Sequence, residues 1–425
     1  MKAIYLVLDG VADRLEDQQT SLKIARKPFL DLISRAGICG VVYTVGKGIA
    51  PESDAAVMSI LGYDPHKHYT GRGPVEAVGA GLEFTEGREV AFRANFATVD
   101  PNTMKLVDRR VGRSLTTEEA LELAKALDGL ELKRYGGYVR FKATVAHRAV
   151  VVLGSREYAL SDNVDNTDPA YRKVGSISVA EKVFNPYVKR SEPLDNSLES
   201  RITAELVNEF TVEAVKVLEN HPINREREAR GLLKANVVLV RDAGSRLPKL
   251  KPIKEVYGLE FGSVAEMPVE KGIAKILGMR SIEIPPPTED KESDYRIRLE
   301  ATLKLLNEVD VVYVHLKGPD EPGHDGDLRG KVKAIEDIDK FFVRELLASV
   351  DLSNIALIVT ADHATPPSVK AHTDDPVPIV LTGLNVTPDK VVKLTEEECY
   401  AKGSLGVIEH GWEVLHRMLS LIKAV

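Results

Sequence analysis

The sequence predicts an α/β fold: a doubly wound sheet with a second α/β domain inserted into it. Three observations carry that expectation, namely the chain length, a set of short apolar runs that stop at polar residues, and helical periodicity between those runs. The chain has 425 residues, of which 44% are hydrophobic and 28% charged. That length exceeds what one ordinary core accommodates, and the hydrophobic share is that of a globular protein.

Four apolar, β-branched runs define the sheet. Residues 3–8 lead into Asp9, 309–314 into the stretch from His315 to His324, and 355–360 into Asp362 and His363. The fourth run, 377–382, is preceded by His372. Near-continuous apolar runs of this length read as strands buried on both faces, the habit of parallel sheets. Between them, residues 293–308 and 331–350 place apolar side chains at helical spacing, the second through Val332, Ile335, Phe342 and Leu346. Alternating strands and helices build a doubly wound sheet, and ligands of such sheets gather beyond the carboxyl ends of the strands. Three of the four runs carry their polar residues at that end.

The middle of the chain has a different texture. Residues 89–99 alternate like a strand, and 137–153 contain a long candidate strand. Thr116 and Glu119 form a capping-box pattern ahead of Ala120, Leu123, Ala124 and Leu127. A further helical pattern spans 199–219 and stops before Pro222. Residues 86–235 are therefore expected to form the inserted domain, with 1–85 and 236–425 joining as the discontinuous first domain.

Composition excludes several classes of function. A net charge of −7 argues against a nucleic-acid binder held by a bulk positive field. The run at 3–8 is far too short to span a membrane, and it ends in an acid rather than a small-residue cleavage site. The cytoplasm is thus the expected compartment. Only two cysteines, Cys39 and Cys399, are present, which provides neither a zinc ribbon nor a disulfide framework. A small anionic substrate stays compatible, because clustered arginines and metal ions override a modest net charge.

The polar residues at the run ends form a candidate constellation. Asp320 and His324, four apart in a stretch stiffened by Pro319 and Pro322, can aim one oxygen and one nitrogen at the same ion. Adding Asp9, Asp362, His363 and His372 gives three carboxylates and three imidazoles, enough for two divalent ions. Taken singly, an aspartate after a strand is usually a turn or cap residue and a lone histidine a surface one. Their shared position gives the set its weight. Ser53, in Pro51-Glu52-Ser53-Asp54, precedes a helical run that ends at Gly62. By itself it reads as a helix N-cap; beside a metal it reads as a nucleophile.

These residues carry a family resemblance. Leu8-Asp9-Gly10, Glu52-Ser53-Asp54-Ala55, Pro319-Asp320-Glu321-Pro322-Gly323-His324, Ala361-Asp362-His363 and the later His372 resemble the alkaline phosphatase superfamily. Within it they look like the cofactor-independent phosphoglycerate mutases common in archaea. The segments Asp108-Arg109-Arg110-Val111-Gly112-Arg113 and Ala146-His147-Arg148-Ala149 look like that branch's substrate domain. The resemblance implies an alkaline-phosphatase-like fold and two ions. One would be held by Asp320, His324 and His372, the other by Asp9, Ser53, Asp362 and His363. Manganese suits the family best, with zinc, cobalt or magnesium as alternatives, and no bisphosphoglycerate is needed.

The implied reaction converts 3-phosphoglycerate to 2-phosphoglycerate through a phosphoserine at Ser53. Two cations would clamp the phosphate oxygens and lower the hydroxyl's pKa. A mutase must also retain glycerate, which calls for a closing domain with cationic grips. Arg109, Arg110, Arg113 and Arg148 are the candidate grips, His147 the candidate proton shuttle, and Lys317 a candidate phosphate contact. The expected partner is this small phosphoglycerate, with neither nucleic acid nor membrane; a homo-oligomer is allowed. The alternative is another phosphatase or phosphotransferase of the superfamily, such as a mutase-like homoserine kinase.

Overall fold

A run of apolar residues with polar residues at both ends becomes a central strand when both of its faces are covered. Lys2–Leu8 does so: from Ala3 to Leu8 no residue is more than 1% exposed. The computed structural model describes residues 2–174, 177–180, 183–384 and 386–424. The chain divides into two compact units, Met1–His68 with Leu250–Glu266 and Ile273–Val425, and Tyr69–Lys249 with Met267–Gly272. The expected insertion, 86–235, lies within the second unit, whose edges reach further along the chain in both directions.

In the first unit, the described strands form one eight-stranded sheet. Its spatial order is Arg280–Ser281, Phe261–Val264, Val311–Leu316, Lys2–Leu8, Ile355–Thr360, Val377–Thr382, Gly37–Val42 and Gly406–Ile408. The first five run parallel, as do the last two with each other. Val377–Thr382 is antiparallel to both of its neighbours. Its reversal corrects the expectation of an all-parallel arrangement, and it has a consequence for the site. A residue preceding this strand stands at the sheet end where the parallel strands finish, so His372 joins Asp9, Asp320 and Asp362 there.

The helices obey the sequence periodicity closely. Lys291–Glu308 covers the expected 293–308 pattern. The expected 331–350 helix runs as Leu328–Ile338, a wider turn at Asp339–Val343, and Arg344–Ser349. That wider turn carries Asp339, whose carboxylate accepts from the backbone N–H groups of Phe29 and Leu30 at 3.3 and 2.7 Å, at the start of the Pro28–Arg35 helix.

In the second unit, described by itself, the strands are antiparallel. Leu106–Asp108, Val90–Val99, Arg148–Ser155 and Gly137–Ala143 lie in that order, and Val237–Gly244 pairs with Val90–Val99. The segment 137–153, expected to contain a long strand, holds two paired strands joined as a hairpin. Ala146 turns the chain at φ 51°, and Thr144 donates its N–H to the Arg148 carbonyl at 2.9 Å. The turn Thr144-Val145-Ala146-His147 contains no glycine or proline, the residues that usually mark a turn. The capping box forms as expected: Thr116 Oγ1 accepts from the Glu119 N–H, and the Glu119 carboxylate accepts from the Thr116 N–H. Leu198–Glu219 packs on Val237–Gly244, and Phe96, Phe141 and Phe210 meet edge to face or tilted in the core.

Candidate active site

Four adjacent strands of the first unit deliver the site. Register places Leu8 beside Leu316 and Val7 beside Thr360, so the residues that follow these strands start from a common line. Asp9 leaves the Lys2–Leu8 strand and Gly10 follows at φ 59°; a Cβ there would meet Asp320 Cβ, Asp320 Oδ1 and Thr365 Oγ1, each at 2.8 Å. Only glycine lets these chains come so close. Asp320 and His324, expected in a loop, lie on a short helix, Asp320–Asp325, that ends at Gly326 in the left-handed region. Pro322 is tolerated because the first turn of a helix leaves its N–H groups without intrahelical partners. Four-residue spacing on a helix then puts both side chains on one side.

The seven expected ligands come together. Asp320 Oδ1 lies 3.5 Å from His324 Nε2 and 3.5 Å from His372 Nε2, and those two nitrogens are 3.1 Å apart. His363 Nε2 lies 3.5 Å from Asp9 Oδ1, 3.2 Å from Asp362 Oδ2 and 3.2 Å from Ser53 Oγ. The His363 and His372 rings stack at 3.7 Å. Ser53 is the first residue of the Ser53–Ile60 helix, with Glu52 as its N-cap, so its hydroxyl is not used as a cap and faces His363 instead.

The electrostatics call for cations. Asp9 Oδ1 and Asp362 Oδ2 are buried and accept no hydrogen bond from the described residues. Anionic oxygens in that state are costly unless a positive charge meets them. Burial pushes the Asp9 carboxyl up, but Lys317 at 3.1 Å, together with His315 and His363, holds it well below the usual range. Asp320 also sits below its usual value: burial and Asp9 raise it, and His372 and His363 outweigh them. Burial pulls His363 down, but Asp362, Asp320 and Asp9 lift it to about 9. Mixed carboxylate and imidazole donors at these spacings suit divalent first-row ions, so the residues fit two metals.

In the second unit, two of the expected substrate residues, Arg148 and Arg110, are charged neighbours of His147. Arg148 begins a strand opposite Asn95, and His147 stands in the turn before it. Burial, then Arg148, Arg110, Arg241 and Arg93, lower the His147 pKa to about 3. Arg109 is committed to a two-bond contact with the buried Asp168, at 2.9 and 2.6 Å, and the same carboxylate accepts from Arg241 at 2.8 Å. Arg110 and Arg113 are exposed. Lys317, in the first unit, contacts Asp9.

Comparison with known proteins decides what kind of chain this is. The family model described as 2,3-bisphosphoglycerate-independent phosphoglycerate mutase matches residues 34–224. A 2,3-bisphosphoglycerate-independent phosphoglycerate mutase of Aeropyrum pernix is 47% identical, covering 99% of this chain and 100% of the relative. The chain belongs to this family. A further phosphoglycerate mutase of the family, from Archaeoglobus fulgidus, is 41% identical over 100% of this chain and 98% of its own. Among solved structures, the cofactor-independent phosphoglycerate mutase of Thermoplasma acidophilum is 31% identical, with a TM-score of 0.59 over 99% of this chain and 100% of that one. A Pyrococcus horikoshii protein reaches a TM-score of 0.75 at 27% identity, covering 100% of this chain and 98% of that one.

In this family member, the sequence reading named His315 only as the start of a polar stretch and passed over Thr365, Arg93 and Arg241. His315 Nε2 lies 3.7 Å from both Asp9 Oδ1 and Asp362 Oδ2, and its Nδ1 is 2.7 Å from the Tyr313 hydroxyl. With Asp9 and Asp362 it forms a group whose ligand atoms lie within 4.8 Å of one another. A histidine or arginine interrupting a buried apolar strand was the available signal for His315 and for Arg241. Arg93 carried the same mark, inside the buried Val90–Val99 strand, and Thr365 carried none.

Proposed function

We propose that this chain interconverts 3-phosphoglycerate and 2-phosphoglycerate through a phosphoserine on Ser53, at a site that binds two divalent metal ions. One observation carries the reading: the Ser53 hydroxyl faces His363 Nε2 at 3.2 Å, beside two buried carboxylate oxygens that accept no hydrogen bond from the described residues. A serine there is neither a cap nor a core hydroxyl. Asp320, His324 and His372 would hold one ion, and Asp9, Ser53, Asp362 and His363 the other, with manganese proposed for both.

When bound, the ions neutralise phosphate charge and lower the serine's pKa. The chain's residues do the rest. Ser53 Oγ attacks phosphorus; the new O–P bond forms as the bond to the 3-oxygen breaks, and the serine's proton ends on that departing oxygen as the glycerate 3-hydroxyl. The N–H groups at the first turn of the Ser53–Ile60 helix favour the incoming negative charge. Lys317, which contacts Asp9 at 3.1 Å, is the proposed cationic contact for the phosphoryl oxygens. Glycerate then offers its 2-hydroxyl to the phosphoserine, and Ser53 is restored.

Retention of glycerate falls to the second unit's arginines. Arg148 and Arg110 are the proposed carboxylate grips, joined by Arg113. Arg109 acts with them from its fixed position on Asp168. His147, the proposed proton shuttle, is neutral at pH 7 because burial and neighbouring arginines lower its pKa to about 3. Among the described residues no helix is long and apolar enough to cross a membrane. We place the reaction in the cytoplasm, since phosphorylated three-carbon acids do not cross bilayers unaided.

The test is conversion of 3-phosphoglycerate with product detection by enolase, without added bisphosphoglycerate and with Mn²⁺ present. Enolase substrate and a phosphopeptide containing Ser53 are expected. Free phosphate as the main product, or phosphoryl transfer that needs ATP, would instead assign the chain to a phosphatase or kinase.

A further inference from the structure

The two proposed ion positions share one hydroxyl. Thr365 is fully buried, and its Oγ1 donates to Asp320 Oδ1 at 2.7 Å. The same oxygen lies 2.9 Å from His363 Nδ1. A hydroxyl has a single hydrogen, and a carboxylate can only accept. With that hydrogen on Asp320, the contact to His363 requires the imidazole to donate from Nδ1. The proton is thereby held on Nδ1, and the Nε2 lone pair is left for an ion, on the side where Ser53 Oγ, Asp9 Oδ1 and Asp362 Oδ2 lie within 3.5 Å.

Thr365 itself has little freedom. Its N–H donates to the Ala12 carbonyl at 3.0 Å, and its carbonyl accepts from Lys331 Nζ at 2.9 Å. Lys331, also buried, reaches the Ala12 carbonyl at 2.9 Å and Asp13 Oδ1 at 2.7 Å. Two glycines make room for the residue: a Cβ on Gly10 would strike Thr365 Oγ1 at 2.8 Å, and one on Gly323 would strike the Thr365 carbonyl at 2.3 Å. The loop after Ile355–Thr360, the loop after Lys2–Leu8 and the Asp320–Asp325 helix are thus packed around this one side chain.

We infer that Thr365 is a positioning residue that couples the two ion positions, by fixing the His363 tautomer for one and holding the Asp320 carboxylate for the other. The inference rests on the two-ion reading above. Removing the hydroxyl leaves Asp320 Oδ1 and His363 Nδ1 without this partner and lets both groups rotate. Loss of a hydrogen bond that orients a metal ligand typically lowers metal affinity by roughly tenfold to a hundredfold.

The test measures Mn²⁺ binding to the full, metal-free chain by equilibrium dialysis, comparing wild type, Thr365→Val and Thr365→Ser. Wild type and the serine variant are expected to bind two ions with similar affinity, and the valine variant to lose roughly tenfold to a hundredfold at both positions. Loss at neither position, or at one alone, overturns the coupling role. A wild-type chain that binds no Mn²⁺ overturns the two-ion reading, and this inference with it. A second measurement needs no variant. In the Zn²⁺-loaded wild-type chain, ¹⁵N–¹H NMR of histidine side chains should find the His363 proton on Nδ1; a proton on Nε2 refutes the inference.

Discussion

Ser53 shows how one position along a helix separates a capping residue from a candidate nucleophile. At the N-cap its hydroxyl would bond the helix's own N–H groups; at the first helical position it is released toward His363. Replacement by alanine should therefore leave the fold intact and remove both turnover and the phosphoserine. Circular dichroism together with the enolase-coupled rate checks this, and a variant within tenfold of the wild-type rate would remove Ser53 from the mechanism. His147 gives a residue-scale prediction in pH. Its folded pKa of about 3 lies below the ordinary 6.5, so as pH falls the unfolded chain takes up the proton first. Its contribution is complete above pH 6.5 and is lost as pH falls toward 3. At pH 5 the wild type should have lost about 1–2 kcal/mol more than His147→Gln, relative to pH 7, in urea unfolding. Equal losses would mean that His147 ionises normally.

Among elements, those with strong periodicity or recognised caps follow the sequence, and those governed by pairing partners do not. The 293–308 and 199–219 patterns and the Thr116 capping box needed only local information. The 137–153 hairpin depended on Ala146 adopting a left-handed conformation that strand pairing on both sides enforces. Strand direction at Val377–Thr382 was likewise invisible, because an apolar run carries no mark of its polarity in a sheet. Lys331 illustrates the same limit within a helix: a lysine is ordinarily solvated, yet this one is buried against Asp13 and two carbonyls. Lys331→Met should destabilise the metal-free chain by about 3–5 kcal/mol, the usual cost of removing one member of a buried pair. Urea unfolding measures it, and a change below about 1 kcal/mol would show that Asp13 finds another partner.

For the whole molecule, three aspartates and their histidines around the proposed ions make stability and activity depend on the same cations. Each ion at a hundredfold excess over its dissociation constant adds about 2.7 kcal/mol, so chelation should lower Tm by roughly 5–10 °C per site and abolish turnover, with Mn²⁺ restoring both. A thermal melt unchanged by strong chelator would refute the metal site. The sequence by itself determined the α/β class, the long helices, the acidic and imidazole residues at strand ends, and the motifs that carry the family resemblance. These are local patterns, written in contiguous residues. Only the tertiary structure decided which side chains share a ligand atom's neighbourhood: that His315 stands beside Asp9 and Asp362, that Asp168 holds Arg109 and Arg241, and that Thr365 joins Asp320 to His363. Such contacts link residues up to hundreds of positions apart. They are fixed by strand order and by burial, which no window of sequence contains.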